Sequence, residues 1–357
     1  MTGATTDPPG ALMGAEIAEQ PAVLRRRLEH TADIDAVRER LRAERPRFVL
    51  LAARGTSDHA ALYAKYLVEI RLGLPAGLVS PSAYTVQGAR PDLRGVLFVS
   101  VSQSGGSPDL VESQAAARDC GALTLAVTNA PGSALARGAE LSIDIAAGPE
   151  RAVAATKTYT AELLTLHLLL SGAAAASDAL ALPDAAARTL ELATEERVAA
   201  AAEMCAAERV VVSGRGYSYP TAREAALKLM ETSYVSAQAF SGADLLHGPM
   251  AMIDPTVPTI AVVSPGRYGE AMAPVLGRLA DLGAPVLRVG AEGAAGGSGG
   301  AGGAAAAELP IAAGGVPEHL LAILEILPLQ RLALTLALRR GVDPDRPRGL
   351  SKVTETR

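Results

Sequence analysis

Short apolar runs alternate along the chain with longer stretches whose apolar positions recur at helical spacing. Residues 48–53 (Phe-Val-Leu-Leu-Ala-Ala), 78–80, 96–101, 123–128 and 141–145 read as strands. Residues 60–72, 108 to about 120 and 152–171 read as helices, the last of them largely apolar. Ahead of these lie a Thr-, Gly- and Pro-rich start, expected to fray through about residue 12. A helical stretch follows with Met13, Ile17, Val23 and Leu24, then a charged helix ending near Arg45. Strands alternating with helices predict a parallel, doubly wound sheet.

An Ala-rich helical stretch over 172–206 reads as a connector, after which the pattern restarts. Strands are predicted at 209–214, 259–263, 285–289 and 309–311, and a helix from about Pro317 to Arg340. The segment 290–307, nearly all Gly and Ala, reads as a flexible surface loop. Ala53-Arg54-Gly55-Thr56-Ser57 and Gly214-Arg215-Gly216-Tyr217-Ser218 share one plan: strand, Arg-Gly-x-Ser, then an Ala-rich helix. Arg215 follows Arg54 by 161 residues. This predicts an internal duplication and two similar α/β domains. The expected division is 1–45 helical segment, 46–180 first domain, 181–206 connector, 207–340 second domain and 341–357 tail.

Composition fits this plan. At 357 residues, 49% hydrophobic and 3% aromatic, the chain has room for two layered cores. A net charge of -5 calls for neither nucleic acid nor an anionic membrane as partner. Cys120 and Cys205 are too few for a disulfide framework or a Cys-based metal site. The histidines show no metal-ligand spacing, so neither a metal nor a cofactor is expected. No signal peptide or spanning segment is evident; the apolar run 163–170 is short and holds His167, which fits a core helix. A reducing cytoplasm is the expected location.

Three places could carry chemistry. The strand at 96–101 runs into Ser102-Gln103-Ser104-Gly105-Gly106-Ser107-Pro108, and a helix start follows. Such a turn reads equally as an ordinary βα connection or as an anion cradle built from hydroxyls, amides and a helix N-terminus. It has no Lys or Arg and is not a nucleoside-triphosphate loop. Lys228 and Glu231 stand at i, i+3 on one helix face, as a surface ion pair or, among Ala225, Ala226, Leu227, Leu229 and Met230, as a buried base and its partner. His247, in a Gly- and Pro-bounded loop over 241–249, is either a structural histidine or a functional one.

Taken together these residues resemble the sugar isomerase (SIS) family, in particular the isomerase half of glutamine–fructose-6-phosphate amidotransferases and their stand-alone relatives. The resemblance runs from about Met13 to Lys352. It is carried by Glu16-Ile17-Ala18-Glu19-Gln20-Pro21, Arg54-Gly55-Thr56-Ser57, Ser102-Gln103-Ser104-Gly105, Ala154-Ala155-Thr156-Lys157 and Gly214-Arg215-Gly216. Ala226–Glu231, His247-Gly248-Pro249, Leu327-Pro328-Leu329-Gln330 and Asp345–Lys352 complete it. It implies an α/β fold of two tandem SIS domains, each a parallel-sheet αβα sandwich of flavodoxin-like type. It implies a sugar-phosphate substrate held at its phosphate by Ser57, Ser102, Gln103, Ser104 and Ser107, with Gly55, Thr56 and Ala155 nearby. Glu231 matches the base that moves a proton between C1 and C2, and Lys228 a lysine lining the same site. His247 matches the residue that opens the sugar ring from a neighbouring subunit, which implies a homodimer. Lys352 matches a lysine that forms a Schiff base with the open ketose.

Departures shape the functional expectation. Ala155 replaces a Ser of the synthase, Leu246 a Lys, and Asp244 stands where Glu is frequent; Ser107 stands where many relatives have Thr. No N-terminal Met-Cys-Gly is present, so no glutaminase activity is expected. The leading expectation is an isomerising deaminase converting glucosamine 6-phosphate to fructose 6-phosphate and ammonia. Another amino-sugar phosphate, a fructosamine-phosphate deglycase and a non-catalytic sugar-phosphate sensor are the alternatives.

Overall fold

The computed structural model describes residues 7–291 and 306–352. Its first sheet holds β1 (Phe48–Ala52), β2 (Ala76–Leu78), β3 (Val96–Ser102), β4 (Leu123–Thr128) and β5 (Leu141–Asp144), all parallel, in the order β2-β1-β3-β4-β5. The second holds β6 (Arg209–Gly214), β7 (Ser236–Ser241), β8 (Thr259–Val262), β9 (Val286–Ala291) and β10 (Ala307–Ile311), all parallel, in the order β7-β6-β8-β9-β10. Counted within its own half, each sheet has the order 2-1-3-4-5. That is the flavodoxin-like doubly wound arrangement, with its switch point between the first and third strands. The predicted α/β fold of two tandem sandwiches is therefore the one adopted.

Strand side chains alternate between two faces, and the alternation builds the layers. Val49, Leu51, Leu97, Val99, Leu125 and Val127 enter a central core. Ala52, Phe98 and Ala126 face outward, over a helix at Pro108–Asp119. In the second sheet Val210, Val212, Ile260, Val262, Leu287 and Val289 enter the same central core. Val211 and Ala261 face outward, over a helix at Ala273–Asp281. The helices Lys157–Leu170, Ser218–Ser233 and Leu321–Arg339 fill the space between the sheets. The two halves thus share one continuous apolar interior. The apolar helix Glu318–Arg339 has the length and composition of a membrane span, but 83% of its apolar window is buried inside the fold.

Several sequence expectations are corrected. β7 was not expected: Ser-Ala-Gln-Ala-Phe-Ser lacks the β-branched residues that mark a strand, and as the edge strand it pairs only with β6. The predicted helix over 152–171 begins at Lys157, leaving 151–156 irregular. Residues Gly242–Leu246, expected as loop, form a short helix capped by the Ser241 hydroxyl. The 172–206 stretch forms helices Ala175–Asp178, Leu182–Leu192 and Glu195–Met204. Leu182, Ala186, Val198 and Ala201 are buried in the central core, so it packs as part of the body. The chain start is tied down earlier than expected. A helix begins at Ala11, with Gly10, Leu12 and Met13 donating backbone N–H groups to Asp343 and Asp345. Of the expected loop at 290–307, Gly290 and Ala291 complete β9, Ala307 opens β10, and 292–305 lies outside the described residues.

Candidate active site

A cavity of about 290 Å³ opens at the carboxyl ends of β1 and β3, where the strand order of the first sheet reverses. Doubly wound sheets bind ligands at this place, because the helices following the two strands leave on opposite faces. The wall is formed by Arg54, Gly55, Thr56, Ser57, Ser102, Gln103, Ser104, Ser107, Val153, Ala155, Thr158, Glu231, Leu350, Ser351 and Lys352. Residues scattered over three hundred positions of sequence meet there.

One end of the cavity is made of hydroxyls and amides. Ser102 ends β3, and its Oγ accepts from Gly105 N at 3.1 Å; Ser104 Oγ accepts from Gly106 N at 3.3 Å. Each hydroxyl keeps its own proton to donate. Gly105 has φ 58°, a left-handed conformation that a side chain would strain, and an added Cβ would run into Ser133 Oγ. Ser107 is the N-cap residue of the helix Pro108–Asp119, yet its side chain makes no cap bond and lines the cavity. Ser57 lies in the first turn of the helix Thr56–Leu67. The cavity does hold a guanidinium, from Arg54, braced by Asp109 Oδ2 at 2.7 Å.

The other end holds the predicted carboxylate and lysine. Glu231 lines the cavity; Lys228 Nζ lies 2.6 Å from its Oε2. The alternative of a solvent-facing pair does not apply, since Lys228 is fully buried. Behind it lies Glu224, also fully buried, with Oε1 3.3 Å from Lys228 Nζ. Glu224 also accepts from Thr56 Oγ1 at 3.0 Å and from His59 Nδ1 at 2.7 Å. Burial would push the Glu224 carboxyl up, but the Lys228 ammonium, His59 and Thr56 outweigh it and hold it below its ordinary range. Burial would likewise push Lys228 down, and the carboxylates of Glu224 and Glu231 reverse this and hold it above its ordinary value. The unit is an ionised relay that fixes Glu231 at the cavity edge.

The tail closes the third side. Lys352 Nζ donates to Glu150 Oε2 and to the Ala152 carbonyl, each at 2.7 Å. Glu150 also accepts from Thr156 N, Thr158 N and Thr158 Oγ1, at 2.9, 3.1 and 2.8 Å. One buried carboxylate therefore caps the helix Lys157–Leu170 and holds Lys352. Gln20, Gln330 and Thr160 form a buried chain beneath, and Gln330 Nε2 donates to the Thr156 carbonyl. The Gln20 and Gln330 motifs thus shape the 151–156 loop without touching the cavity.

Of the residues expected at a site, Gly55, Thr56, Ser57, Ser102, Gln103, Ser104, Ser107, Ala155, Glu231 and Lys352 share the cavity, with Lys228 directly behind. His247 does not: it is exposed and off the cavity wall. Leu246 beside it is exposed as well. Arg54, as a wall residue, and Glu150, Glu162, Glu224 and His59 were not singled out. Glu162 lies within a stretch that reads as an apolar helix, and the His59–Glu224 contact spans 165 positions, beyond any local pattern. The fold also gathers histidines that sequence spacing kept apart. His167 and His319 stack with ring centroids 5.0 Å apart, and Asp178 Oδ2 lies 3.6 Å from His319 Nε2. Both His167 ring nitrogens are hydrogen-bonded, to the Ala175 carbonyl and the Ser171 hydroxyl at 2.9 Å each, and burial lowers its pKa to about 4. Arg71 also reaches Asp178, so the trio reads as packing between the halves.

Glu162 is a strongly perturbed carboxyl beside the cavity. Burial, with Glu150 and Glu224 adding to it, carries its pKa from 4.5 to about 8 against the Ser57 hydrogen bond and Lys352. Between about pH 5 and 8 the folded state then holds a proton that the unfolded chain has released. Stability therefore falls as pH rises through that window, by up to about 1.4 kcal/mol per unit from this group. Denaturant midpoints from pH 5 to 8 should fall more steeply in the native protein than in Glu162→Gln. Parallel slopes would place the proton elsewhere.

With the geometry in hand, the family is clear. The SIS domain model matches residues 44–172 and 203–290, and the chain belongs to that family. It is 34% identical over 340 residues to the glutamine–fructose-6-phosphate aminotransferase (isomerizing) of Methanothermobacter thermautotrophicus, covering 94% of this chain and 56% of that one. The Gloeobacter violaceus protein of the same name is 35% identical over 358 residues, covering 94% and 57%. The chain thus spans a little over half the length of these relatives. Among solved structures, the C-terminal domain of the Francisella tularensis glucosamine-fructose-6-phosphate aminotransferase superposes with a TM-score of 0.83 at 26% identity, covering 96% of this chain and 100% of that one. A glucosamine-6-phosphate deaminase from Thermotoga maritima gives 0.73 at 22% identity, covering 97% and 100%, a likeness of fold.

Proposed function

We propose that this chain is an isomerising deaminase that converts glucosamine 6-phosphate and water to fructose 6-phosphate and ammonia. One observation carries the reading: a hydroxyl cradle, the Glu231 carboxylate and the Lys352 amine line the same cavity. The cradle of Ser57, Ser102, Gln103, Ser104 and Ser107 holds the phosphate, which leaves C1 and C2 of the open sugar to Glu231 and Lys352.

Glu231 takes the C2 proton of the open aldose. The C–H electron pair forms the C1–C2 double bond, O1 takes the proton given up by the C2 ammonium of the substrate, and Glu231 returns its proton to C1. C2 is then an iminium carbon. The Lys352 amine adds there and ammonia leaves; water hydrolyses the resulting ketimine to fructose 6-phosphate and regenerates the amine. An amine attacks through its free lone pair, and Glu150 Oε2, 2.7 Å from Lys352 Nζ, is placed to take a proton from it. Lys228, 2.6 Å from Glu231, holds the carboxyl at the cavity edge. His247 belongs to this reading as the ring-opening group supplied by a second copy, which makes a homodimer with shared sites part of the proposal.

Ala155 favours a second reading. Its methyl group lines the cavity where the synthase carries a hydroxyl, so the sugar hydroxyls met there differ. Another amino-sugar phosphate or a fructosamine phosphate then becomes the substrate. Purified protein mixed with glucosamine 6-phosphate should release ammonia and fructose 6-phosphate in equal amounts. Release only from galactosamine 6-phosphate or a fructosamine 6-phosphate transfers the assignment to the second reading, and release from none overturns both.

A further inference from the structure

One of the buried carboxyls that the reaction above does not use touches the cavity wall from beneath. Glu162, on the helix Lys157–Leu170, is 1% exposed. Its Oε1 lies 2.8 Å from Ser57 Oγ, and its Oε2 is buried with no hydrogen-bond partner. Ser57 in turn lines the cavity. One hydroxyl therefore bridges the cavity and a carboxyl beneath it.

A hydroxyl has a single proton, and an ionised carboxylate only accepts. While Glu162 is ionised, the Ser57 proton points down at it, and an oxygen lone pair faces any anion in the cavity. Once Glu162 is protonated it can donate to Ser57 Oγ, and the Ser57 proton turns into the cavity. We infer that Glu162 is a positioning residue that sets whether Ser57 donates to a bound dianion, so that anion binding requires the protonated carboxyl. The inference rests on the anion-cradle reading of the cavity given above.

The charged groups facing Glu162 come from three directions: Glu150 before its own helix, Glu224 from the helix Ser218–Ser233, and Lys352 from the tail. Two of the three are carboxylates, which favour the neutral form, and Glu150 is itself occupied in capping and in holding Lys352. A dianion in the cavity adds more negative charge and favours the proton further. The pKa of about 8 puts the change just above neutrality. Sugar-phosphate binding is then strong at neutral pH and is lost as pH rises through that value.

Sulfate is the suitable probe, because it keeps both charges from pH 6.5 to 9.5 whereas inorganic phosphate titrates. Titration calorimetry should show native affinity for sulfate level below pH 8 and falling about tenfold per unit above it, with about one proton taken up per sulfate bound at pH 9. Glu162→Gln keeps the shape and an N–H donor with no titration; its affinity should stay level to pH 9, with no linked proton. Ser57→Ala, which cuts the link, should bind more weakly and lose the same pH dependence. Equal pH profiles and proton uptake in native protein and Glu162→Gln overturn the role of Glu162 while leaving the cradle intact. Failure of sulfate to bind the native protein at pH 7 overturns the cradle reading itself, and this inference with it.

Discussion

Replacing Glu231 by Gln is expected to lower kcat for amino-sugar-phosphate turnover by about 10²–10⁴-fold while leaving KM within a few-fold. The two ends of the cavity come from different halves of the chain. Ser57, Ser102, Gln103, Ser104 and Ser107 belong to the first half and its turns, and Glu231 reaches in from the helix Ser218–Ser233. The amide keeps the size of the carboxylate, so the hydroxyl end of the cavity is undisturbed; what disappears is the carboxylate proposed to accept and return the carbon-bound proton. Steady-state assays of ammonia release, paired with uptake of solvent deuterium into product C1, measure the loss. A variant within tenfold of native turnover would mean that another group is the base.

Lys228→Met is expected to destabilise the folded protein by about 3–5 kcal/mol, the cost of leaving a buried carboxylate without its cation. Lys228 and Glu224 have no exposed side-chain surface, and Lys228 is the cation 3.3 Å from Glu224 Oε1. Without it, Glu224 keeps hydrogen bonds from Thr56 and His59 but loses the ammonium that balances its buried charge. Leaving that charge unbalanced in a buried place costs energy. Chemical denaturation of the native protein, Lys228→Met, Glu224→Gln and the double variant tests this. The double variant should lose less than the two single losses added together, because the partners share one interaction. A single-variant loss below about 1 kcal/mol would show that the relay is not the buried unit described.

Much of the architecture was legible because strand and helix periodicities differ and because β-branched runs mark buried parallel strands. β3, with Val96, Val99 and Val101, and β4, with Thr124, Val127 and Thr128, are such runs, filled out by Leu97, Phe98 and Leu125. β7 was illegible for the converse reason: it sits at an edge and presents Ser236 and Gln238 to solvent. The cradle could be read from local sequence, since Ser102 to Ser107 lie within one turn. The relay could be read only in part. Lys228 and Glu231 share a helical face and announce themselves, but His59, Glu224 and Glu150 matter through contacts that only folding creates. Glu162 was hidden by its company, one carboxyl ahead of Leu163, Leu164 and Leu166. His247, expected to act from a neighbouring subunit, lies at the surface of its own chain, away from the cavity wall.

The tail that carries Lys352 is stitched down along its length. Asp345 receives the N–H groups of Leu12 and Met13, and Arg348 rests on the Tyr234 ring, 4.5 Å from its centroid. Both sheets are complete in the chain before this segment emerges. A nascent polypeptide whose tail has not yet left the ribosome has its hydroxyl turn and its Glu231, but Leu350, Ser351 and Lys352 are missing from the cavity wall. The cavity is therefore completed only after both sheets have been made.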